Sequence, residues 1–442
     1  MAMNWKNLLS TDRLGKGPEP GDARSHYQRD YDRIVFSSAF RRLQDKTQVF
    51  PLVESDYIRT RLTHSMEVSC VGRSLGTLVG SKVLEREKIH GYNAQEFGNI
   101  VAAACLAHDI GNPPLGHSGE EAIRAWFKGH GSSFLDDLSA QEAKDFSEFE
   151  GNAQGFRVLG RLQNKVGGGG LQLTCAVLGT YTKYPRRSFA PEHGDKNKVS
   201  EKKFGFVTED EVWFKNVVSA VGLLEKAPGA WVRHPLAFLM EAADDICYRI
   251  VDLEDGHRLH RVTFEQTKSL LEPIAFEVGE DPMTGSYGTI ADDKGRVEYL
   301  RARAINSLIL DAVDVFEANY DSIMRGEFEQ DLMSRSRFAS QLQTIKDVSK
   351  KDVYSAPHVL QVEAAGFEVL GGLLERIVPA LVKGSKGSAA DRKILDLVPV
   401  QYKQGESKYE RLLGSTDFVS GMTDSYAVTL YRRLLGIELP RG

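Results

Sequence analysis

Two histidines lie on predicted helical faces whose other members are apolar. His64 precedes an apolar i, i+3/i+4 stripe over residues 68–78 by one turn, and His108 ends a second stripe, with Asp109 directly after it. An ionised carboxylate is costly at such a position unless it is paired or bound to a metal. A lone histidine of this kind is more often a hydrogen-bonded core residue, but the adjacent Asp109 indicates a metal site.

A predicted helix over residues 235–255 carries a second set of polar residues. Asp244, Tyr248 and Asp252 are spaced i, i+4, i+8, which places them on one side of this helix. Asp244 has apolar neighbours, and the adjacent Asp245 is an alternative ligand. Two imidazoles and two carboxylates would suit Mn²⁺, Fe²⁺, Co²⁺ or Zn²⁺, and Mg²⁺ less well.

Composition limits the class of protein. The 442 residues include 41% hydrophobic and 26% charged residues, which is typical of a soluble globular protein. The net charge of -5 excludes a global basic field for nucleic acid or anionic membranes. No apolar run approaches the roughly 20 residues of a membrane span, and the first twelve residues lack a signal-peptide pattern, so we expect a cytoplasmic protein. The widely spaced cysteines exclude a CxxC metal knuckle and are predicted to be core residues.

Helical periodicity dominates the chain and predicts an all-α fold with at most short β hairpins. Ser118 and Glu121 have the spacing of a capping box that would open a third helix, and glycines at 72, 76 and 80 would let a neighbouring helix approach closely. Polar excursions are expected at 167–170, 186–203 and 279–295, with a short hairpin near 204–207. Further helical patterns lie near 296–323, 356–383 and 420–436.

No long linker divides the sequence, so we expect one large α-helical unit over residues 1–442. Within it, residues 58–256 would form the catalytic core. Residues 257–442 would form a C-terminal helical elaboration.

Longer strings resemble a known family. The order His64, His108-Asp109, Asp244 matches the H…HD…D pattern of the HD phosphohydrolases. The chain also resembles a narrower family, the deoxyguanosine triphosphate triphosphohydrolases and their relatives that act on other dNTPs. This resemblance covers nearly the whole chain and rests on RDYDRIVFSSAFRRLQDKTQVFP at 29–51, RTRLTHSMEV at 59–68, AHDIGNPPLGHSGEEAI at 107–123, FEGNAQGFRVL at 149–159, KYP at 183–185, EAADDICYRIVDLED at 241–255 and GMTDSYA at 421–427.

The resemblance implies an HD-domain helical fold that holds one divalent metal ion. Its ligands would be His64, His108, Asp109 and Asp244. Mn²⁺ or Mg²⁺ is the ion expected, with Fe, Co, Ni or Zn as alternatives. The ion would polarise the α-phosphate of a dNTP and a bound water, so that the 5′ oxygen is displaced and tripolyphosphate leaves in one piece.

The resemblance also assigns a catalytic pair. His117 occupies the position of the family's catalytic histidine, and Glu120 would orient it as the carboxylate of a dyad. The alternatives are a solvent-exposed loop histidine and a glutamate near a helix N-terminus, where its charge contributes about 0.3–1 kcal/mol.

Substrate contacts follow from the same resemblance. The phosphate contacts would be Arg61, Asn152, Lys183, Tyr184 and Lys203, with Lys202 as the alternative to Lys203. The sugar contacts would be Gln48, Val49, Tyr248 and Asp252. Because Val49 would face the 2′ side, a ribose hydroxyl there would lose water without gaining a partner, at a cost of about 1–3 kcal/mol. We therefore expect deoxyribose to be preferred.

Partners and alternatives complete the prediction. The resemblance implies a homo-oligomer, often a hexamer in the family, and an effector that is a nucleotide or single-stranded nucleic acid. The basic stretch at 186–203 is one candidate for the effector site, with a solvated loop as the plainer interpretation. The base preference stays open between dGTP alone and several dNTPs. Alternative functions are another HD-type nucleotide phosphohydrolase and a binding regulator with a vestigial site.

Overall fold

The computed structural model describes residues 2–15, 23–48, 59–164, 169–189, 198–277, 279–355 and 357–438. Helices dominate this part of the chain, and the strands in it form a single two-stranded antiparallel sheet. The strands are β1 (Glu225–Ala227) and β2 (Ala230–Trp231). The predicted all-α fold class is therefore confirmed.

The α-helices of the described residues are α1 (Trp5–Leu8), α2 (His26–Val35), α3 (Ser38–Arg42), α4 (Arg61–Glu87), α5 (Ala94–Ala107), α6 (Gly116–Lys128), α7 (Ala140–Ser147), α8 (Gly151–Arg157), α9 (Cys175–Tyr181), α10 (Glu211–Val221), α11 (Pro235–Arg258), α12 (Phe264–Ala275), α13 (Asp293–Ala318), α14 (Tyr320–Met324), α15 (Ala339–Val348), α16 (Pro357–Lys383), α17 (Ala389–Leu397), α18 (Lys408–Ser420) and α19 (Asp424–Leu434). The helical patterns near 296–323, 356–383 and 420–436 correspond to α13 with α14, to α16, and to α19.

The close packing of α4 against α5 brings the two predicted histidine helices together. A Cβ atom added at Gly76 would lie 2.7 Å from the carbonyl oxygen of Phe97, and one at Gly80 would lie 2.8 Å from the Phe97 side chain. Such distances leave room only for glycine, so the close approach predicted from the glycine spacing is confirmed. Helix α11 packs against both α4 and α5 and completes this part of the core.

A second apolar core joins α6 to the C-terminal helices. It contains Trp126 and Phe127 of α6, Leu373 and Leu374 of α16, and Leu412 of α18. Helix α6 therefore rests directly on the C-terminal part of the chain. The domain boundaries at 58, 256 and 257 stay predictions.

Three local predictions are wrong. Helix α6 begins at Gly116, and Ser118 lies inside it without capping it, because the preceding Pro-Pro turn places Leu115 at the N-cap. The hairpin expected at 204–207 is absent from those residues; they pack Phe206 into the core, and the hairpin forms around Gly229, whose φ is +78°. Cys70 is exposed, whereas the other cysteines are buried as predicted.

Helix α11 continues three residues beyond the predicted end at 255. Gly256 lies inside the helix rather than after it. A Cβ atom at Gly256 would lie 2.6 Å from the side chain of Val353, so close packing explains this glycine. No helix in the described ranges has both the length and the apolar character needed to cross a membrane.

One buried carboxyl group between α7 and α18 makes the stability of the fold pH-dependent. Asp145 accepts hydrogen bonds from the Tyr409 hydroxyl (2.5 Å) and the Thr208 N–H (2.9 Å). Burial nevertheless raises the pKa of Asp145 to about 6. An unfolded aspartate has a pKa of about 3.9, so the folded state binds more protons between these values and stability falls as pH rises through this range.

Replacing Asp145 with asparagine removes this titration. Relative to the Asp145→Asn variant, we expect the wild-type free energy of unfolding to decrease by about 2.5 kcal/mol between pH 4 and pH 8, because the pKa differs by roughly two units between the folded and unfolded states, at 1.36 kcal/mol for each unit. Urea denaturation of both proteins at both pH values measures the difference. The same pH dependence in the two proteins would contradict this account of Asp145.

Candidate active site

Helices α4, α5 and α11 bring two histidines and two aspartates together. His64 lies in the first turn of α4, and His108 caps the C-terminus of α5. Candidate ligand atoms of His64, His108 and Asp109 all lie within 4.8 Å of one another. The Oδ1 atom of Asp244 on α11 lies 3.3 Å from Nε2 of His64 and 3.5 Å from Nε2 of His108. Residues far apart in the sequence thus face one small volume.

The orientation and charge of these side chains suit metal binding. The Nδ1 atom of His108 lies 2.6 Å from the carbonyl oxygen of Cys105, which leaves Nε2 directed at Asp244. Burial opposes ionisation of Asp109, but Arg61 beside it and the two histidines lower its pKa to about 2. Burial likewise opposes ionisation of Asp244, while Lys183 and His108 hold the pKa of this carboxyl well below its usual range. Both aspartates are therefore anions at neutral pH.

The donor set tests whether a divalent ion fits. The Nε2 atoms of both imidazoles lie within 3.5 Å of Asp244, and Nε2 of His108 lies 3.6 Å from Asp109, so two imidazoles and two carboxylates converge. This N₂O₂ set fits a first-row divalent ion, and the ligand types do not select one ion among Mn²⁺, Fe²⁺, Co²⁺ and Zn²⁺.

Asp245 is placed differently from Asp244. Its carboxylate lies 3.6 Å from Nη2 of Arg249 on the next turn of α11. Burial raises the pKa of Asp245 to about 7. Asp244 contacts both histidines and Asp245 pairs with an arginine, so the geometry favours Asp244 as the ligand between the two alternatives.

His117 and Glu120 lie together at the start of α6. The Nδ1 atom of His117 is 3.3 Å from Oε2 of Glu120, and the histidine side chain is 85% exposed while the glutamate side chain is 4% exposed. The Gly151 N–H donates to Oε1 of Glu120 (2.8 Å), and Arg124 lies 3.4 Å from Oε2. Burial opposes ionisation of Glu120, but its bond to His117 and the nearby Lys203 lower its pKa to about 2. The buried, anionic Glu120 therefore lies against the solvent-accessible imidazole of His117.

The predicted phosphate-binding cations pair with acids of this site. Arg61 donates to Oδ2 of Asp109 (2.8 Å), and Lys183 donates to Oδ2 of Asp244 (3.2 Å). Lys203 donates to Oε1 of Glu150 (2.9 Å).

The other predicted phosphate contacts lie nearby. The Asn152 amide donates to the same Glu150 oxygen (2.7 Å). Tyr184 is buried next to Lys183, and its pKa is raised by burial. Lys202 is exposed, whereas Lys203 faces Glu120 and Glu150, so the geometry favours Lys203 over its neighbour.

Comparison with known proteins gives the chain its family. Residues 61–152 match the HD domain, and residues 332–433 match the phosphohydrolase-associated domain. The chain is 44% identical to a deoxyguanosinetriphosphate triphosphohydrolase-like protein of Synechocystis and 39% identical to one of Pseudomonas aeruginosa, in each case over 99% of this chain and 100% of the relative. It is 31% identical to the deoxyguanosinetriphosphate triphosphohydrolase of Salmonella typhimurium, over 99% of both chains.

The chain belongs to the deoxyguanosinetriphosphate triphosphohydrolase-like family. The resemblance identified from the sequence is confirmed, and membership supports assignment as a hydrolase. The two matched regions pack against each other, because α6 of the HD domain rests on α16 and α18 of the associated domain.

The residues expected from the family resemblance to contact the sugar lie in two places. Tyr248 and Asp252 lie on α11, and Gln48 lies before α4. Gln48 is half-buried, and its Oε1 atom is buried without a partner, so it can accept a hydrogen bond from a ligand. Tyr248 and Asp252 follow Asp244 on α11. Val49 lies outside the described residues, so its expected contact with the 2′ side stays a prediction.

Tyr354 contacts two of the expected sugar-binding residues, and no feature of the sequence predicts this. The ring of Tyr354 stacks on Tyr248 with centroids 5.8 Å apart, and its hydroxyl donates to Oδ2 of Asp252 (2.6 Å). Burial raises the pKa of Asp252 to about 7. Tyr354 follows a short π-helical turn, 102 residues after Asp252, and no periodicity or motif links the two positions.

Removing the Tyr354 hydroxyl tests its contribution to the family site. The Tyr354→Phe variant keeps the ring but leaves Asp252 without this donor, so Asp252 is free to rotate. We expect kcat/KM for nucleotide hydrolysis to fall about tenfold, the size of one hydrogen bond to a charged group. Steady-state kinetics check this, with Tyr426→Phe, an exposed tyrosine on α19, as the control. Equal kcat/KM for Tyr354→Phe and wild type would mean that the hydrogen bond from Tyr354 to Asp252 does not contribute to the reaction.

Proposed function

We propose that this chain is a metal-dependent deoxynucleoside triphosphate triphosphohydrolase that converts dGTP, or several dNTPs, to the deoxynucleoside and tripolyphosphate. The observation that carries the proposal is the placement of Asp244 within 3.5 Å of both His64 and His108, beside Asp109. The relative from Salmonella typhimurium bears the name of this activity and matches the chain from end to end.

In the proposed site, His64, His108, Asp109 and Asp244 hold the ion. A divalent ion bound there would polarise the α-phosphate and lower the pKa of a water. Arg61 and Lys183 already donate to Asp109 and Asp244, and they would turn toward the phosphate tail when it enters. Asn152, Tyr184 and Lys203 would extend this binding along the tail.

His117 would act on protons at the reacting end. Its ring is exposed beside the site, and its Nδ1 atom faces Glu120, so Nε2 is free to hold or transfer a proton at the attacking water or the leaving 5′ oxygen. Glu120, buried and anionic, would fix the ring and stabilise its protonated form. Gln48, Asp252 and Tyr248 would hold the deoxyribose, with Val49 on its 2′ side.

Incubation with each dNTP and each NTP, with Mn²⁺ or Mg²⁺, tests the reaction class and the sugar preference together. We expect deoxynucleoside and tripolyphosphate as products. We expect kcat/KM to be roughly 5- to 150-fold lower for an NTP than for its dNTP, as a loss of about 1–3 kcal/mol implies. Pyrophosphate or orthophosphate products would instead indicate another HD-type phosphohydrolase. Binding without turnover would indicate a regulator with a vestigial site.

Several further expectations from the sequence stay predictions. These are the identity of the metal, the base preference, the homo-oligomer and its hexameric form, the nucleotide or single-stranded nucleic-acid effector, and the cytoplasmic location. Residues 190–197 of the basic stretch lie outside the described part of the chain.

A further inference from the structure

Three segments from distant parts of the chain meet beside the candidate site. They are residues 46–48, the turn 112–115 between the HD pair and α6, and the turn 420–424 between α18 and α19. Two charged residues lie at this junction. Lys46 is 3% exposed and Asp424 is 1% exposed. Neither belongs to the set of residues proposed above to bind metal or substrate.

Asp424 bonds to two of these segments at once. Its Oδ1 atom accepts from the Leu115 N–H (2.9 Å). Its Oδ2 atom accepts from the N–H (2.9 Å) and the hydroxyl (2.7 Å) of Thr47. All three bonds are donated to the carboxylate, so both of its oxygens have hydrogen-bond partners.

The bond to Leu115 supports an unfavourable backbone conformation. Leu115 has φ of +63°, in the left-handed region that costs a residue with a Cβ roughly 1–2 kcal/mol. Its side chain does not cap α6, and His117 follows two residues later. The Asp424 carboxylate therefore bonds to the left-handed residue at the N-cap of α6, two residues before His117.

Lys46 closes the same junction from the other side. Its ammonium group donates to the carbonyl oxygens of Asn112 and Ser420. The Asn112 side chain in turn donates to Asp109. The backbone oxygen of Lys46 also accepts from the Arg61 N–H (3.0 Å) at the start of α4. Contacts thus lead from the turn at 420–424 to the proposed metal ligand Asp109 and to the start of α4.

We propose that Asp424, with Lys46, is a positioning residue for hydrolysis. It holds the turn before His117 and the segment ending at Gln48 in register, so the region matched to the phosphohydrolase-associated domain shapes the catalytic end of the site. This inference rests on the proposed function. Asp424 bonds to none of the four proposed ligands, and the junction reaches Asp109 only through Lys46 and Asn112. Loss of Asp424 therefore affects proton transfer and substrate placement more than metal binding.

The test compares Asp424→Asn and Asp424→Ala with Ser425→Ala. An asparagine cannot accept all three bonds, and an alanine accepts none. Ser425 follows Asp424 in the chain and donates to Asp45 (2.8 Å), the neighbour of Lys46, at the surface. It is therefore a matched control. Lys46→Met, which keeps the aliphatic stem, tests the other half of the junction. Activity is assayed well below the melting temperature of each variant. It is divided by the folded fraction, which circular dichroism measures.

We expect kcat for dNTP hydrolysis to fall about 10- to 100-fold in Asp424→Ala, less in Asp424→Asn, and in the same direction in Lys46→Met, because small misplacement of a catalytic group has effects of this size. Mn²⁺ binding should stay within threefold of wild type. KM should rise, because the segment that carries the proposed sugar contact Gln48 is no longer held in place. Hydrogen exchange of peptides covering 110–118 should accelerate. Ser425→Ala should match wild type within twofold in every measurement.

Two results would overturn the inference. One is unchanged exchange over 110–118 in both Asp424 variants, which would mean that Asp424 does not hold the turn. The other is faster exchange with kcat unchanged, which would mean that the turn need not be held. If wild type hydrolyses no nucleotide, the proposed function fails and catalytic positioning fails with it, while the exchange data still decide whether Asp424 holds the turn.

Discussion

Asp244→Asn is expected to weaken Mn²⁺ binding at least 100-fold and to reduce dNTP hydrolysis by about 10³-fold or more. Its carboxylate contacts both His64 and His108, so it is the fourth of the proposed metal ligands. A neutral amide is a poorer ligand than a carboxylate, and loss of the Lewis acid removes several kcal/mol of transition-state stabilisation, at 1.36 kcal/mol for each tenfold change in rate. Titration calorimetry with Mn²⁺ and a product assay measure the two effects.

Asp245→Asn is the matched control, because it makes the same change one residue further along α11. Asp245 pairs with Arg249 rather than with the histidines. The control should keep Mn²⁺ binding within a few-fold of wild type, and removal of metal with EDTA should abolish activity in both wild type and control. A reversed result, with Asp245→Asn losing the metal and Asp244→Asn keeping it, would assign the ligand to Asp245.

His117→Ala is expected to keep the metal and to reduce turnover about 10²-fold or more. The imidazole touches Glu120 and none of the proposed ligands, so the metal-binding side chains are left in place. General acid–base contributions of one side chain have this size. Turnover at saturating dNTP, together with Mn²⁺ affinity, separates loss of chemistry from loss of metal.

His130→Ala serves as the control for histidine removal. His130 is exposed near the other end of α6 and should be replaceable without effect. Glu120→Gln should reduce turnover as well, because the amide cannot stabilise a protonated His117 as an anion does. If His117→Ala turned over at the wild-type rate, His117 would have no part in proton transfer.

Periodicity in the sequence predicted the helices that carry the site, because apolar spacing reports directly which face of a helix is buried. The stripe that follows His64 became α4 and the stripe that ends at His108 became α5, and the glycine spacing predicted their close contact. The position of Asp244 beside both histidines was expected from the family resemblance; spacing alone made it one of two candidates with Asp245.

Long-range and strained features escaped the sequence analysis. The start of α6 depends on the left-handed Leu115 and on Asp424, more than 300 residues away, whereas the Ser118–Glu121 spacing is a local signal that tertiary bonding overrides. Tyr354 reaches Asp252 across 102 residues, and nothing in its own segment indicates this contact. Polar contacts between distant segments carry no periodicity, so they become visible only in the folded chain.

Hydrolysis in ¹⁸O-labelled water tests most directly whether attack takes place at the innermost phosphorus beside the four ligands. With dGTP and Mn²⁺, mass spectrometry should find one ¹⁸O atom in tripolyphosphate and none in deoxyguanosine, because water attacks the α-phosphorus and the 5′ oxygen leaves with the nucleoside. Label in the nucleoside, or release of labelled pyrophosphate or orthophosphate in place of tripolyphosphate, would contradict the account.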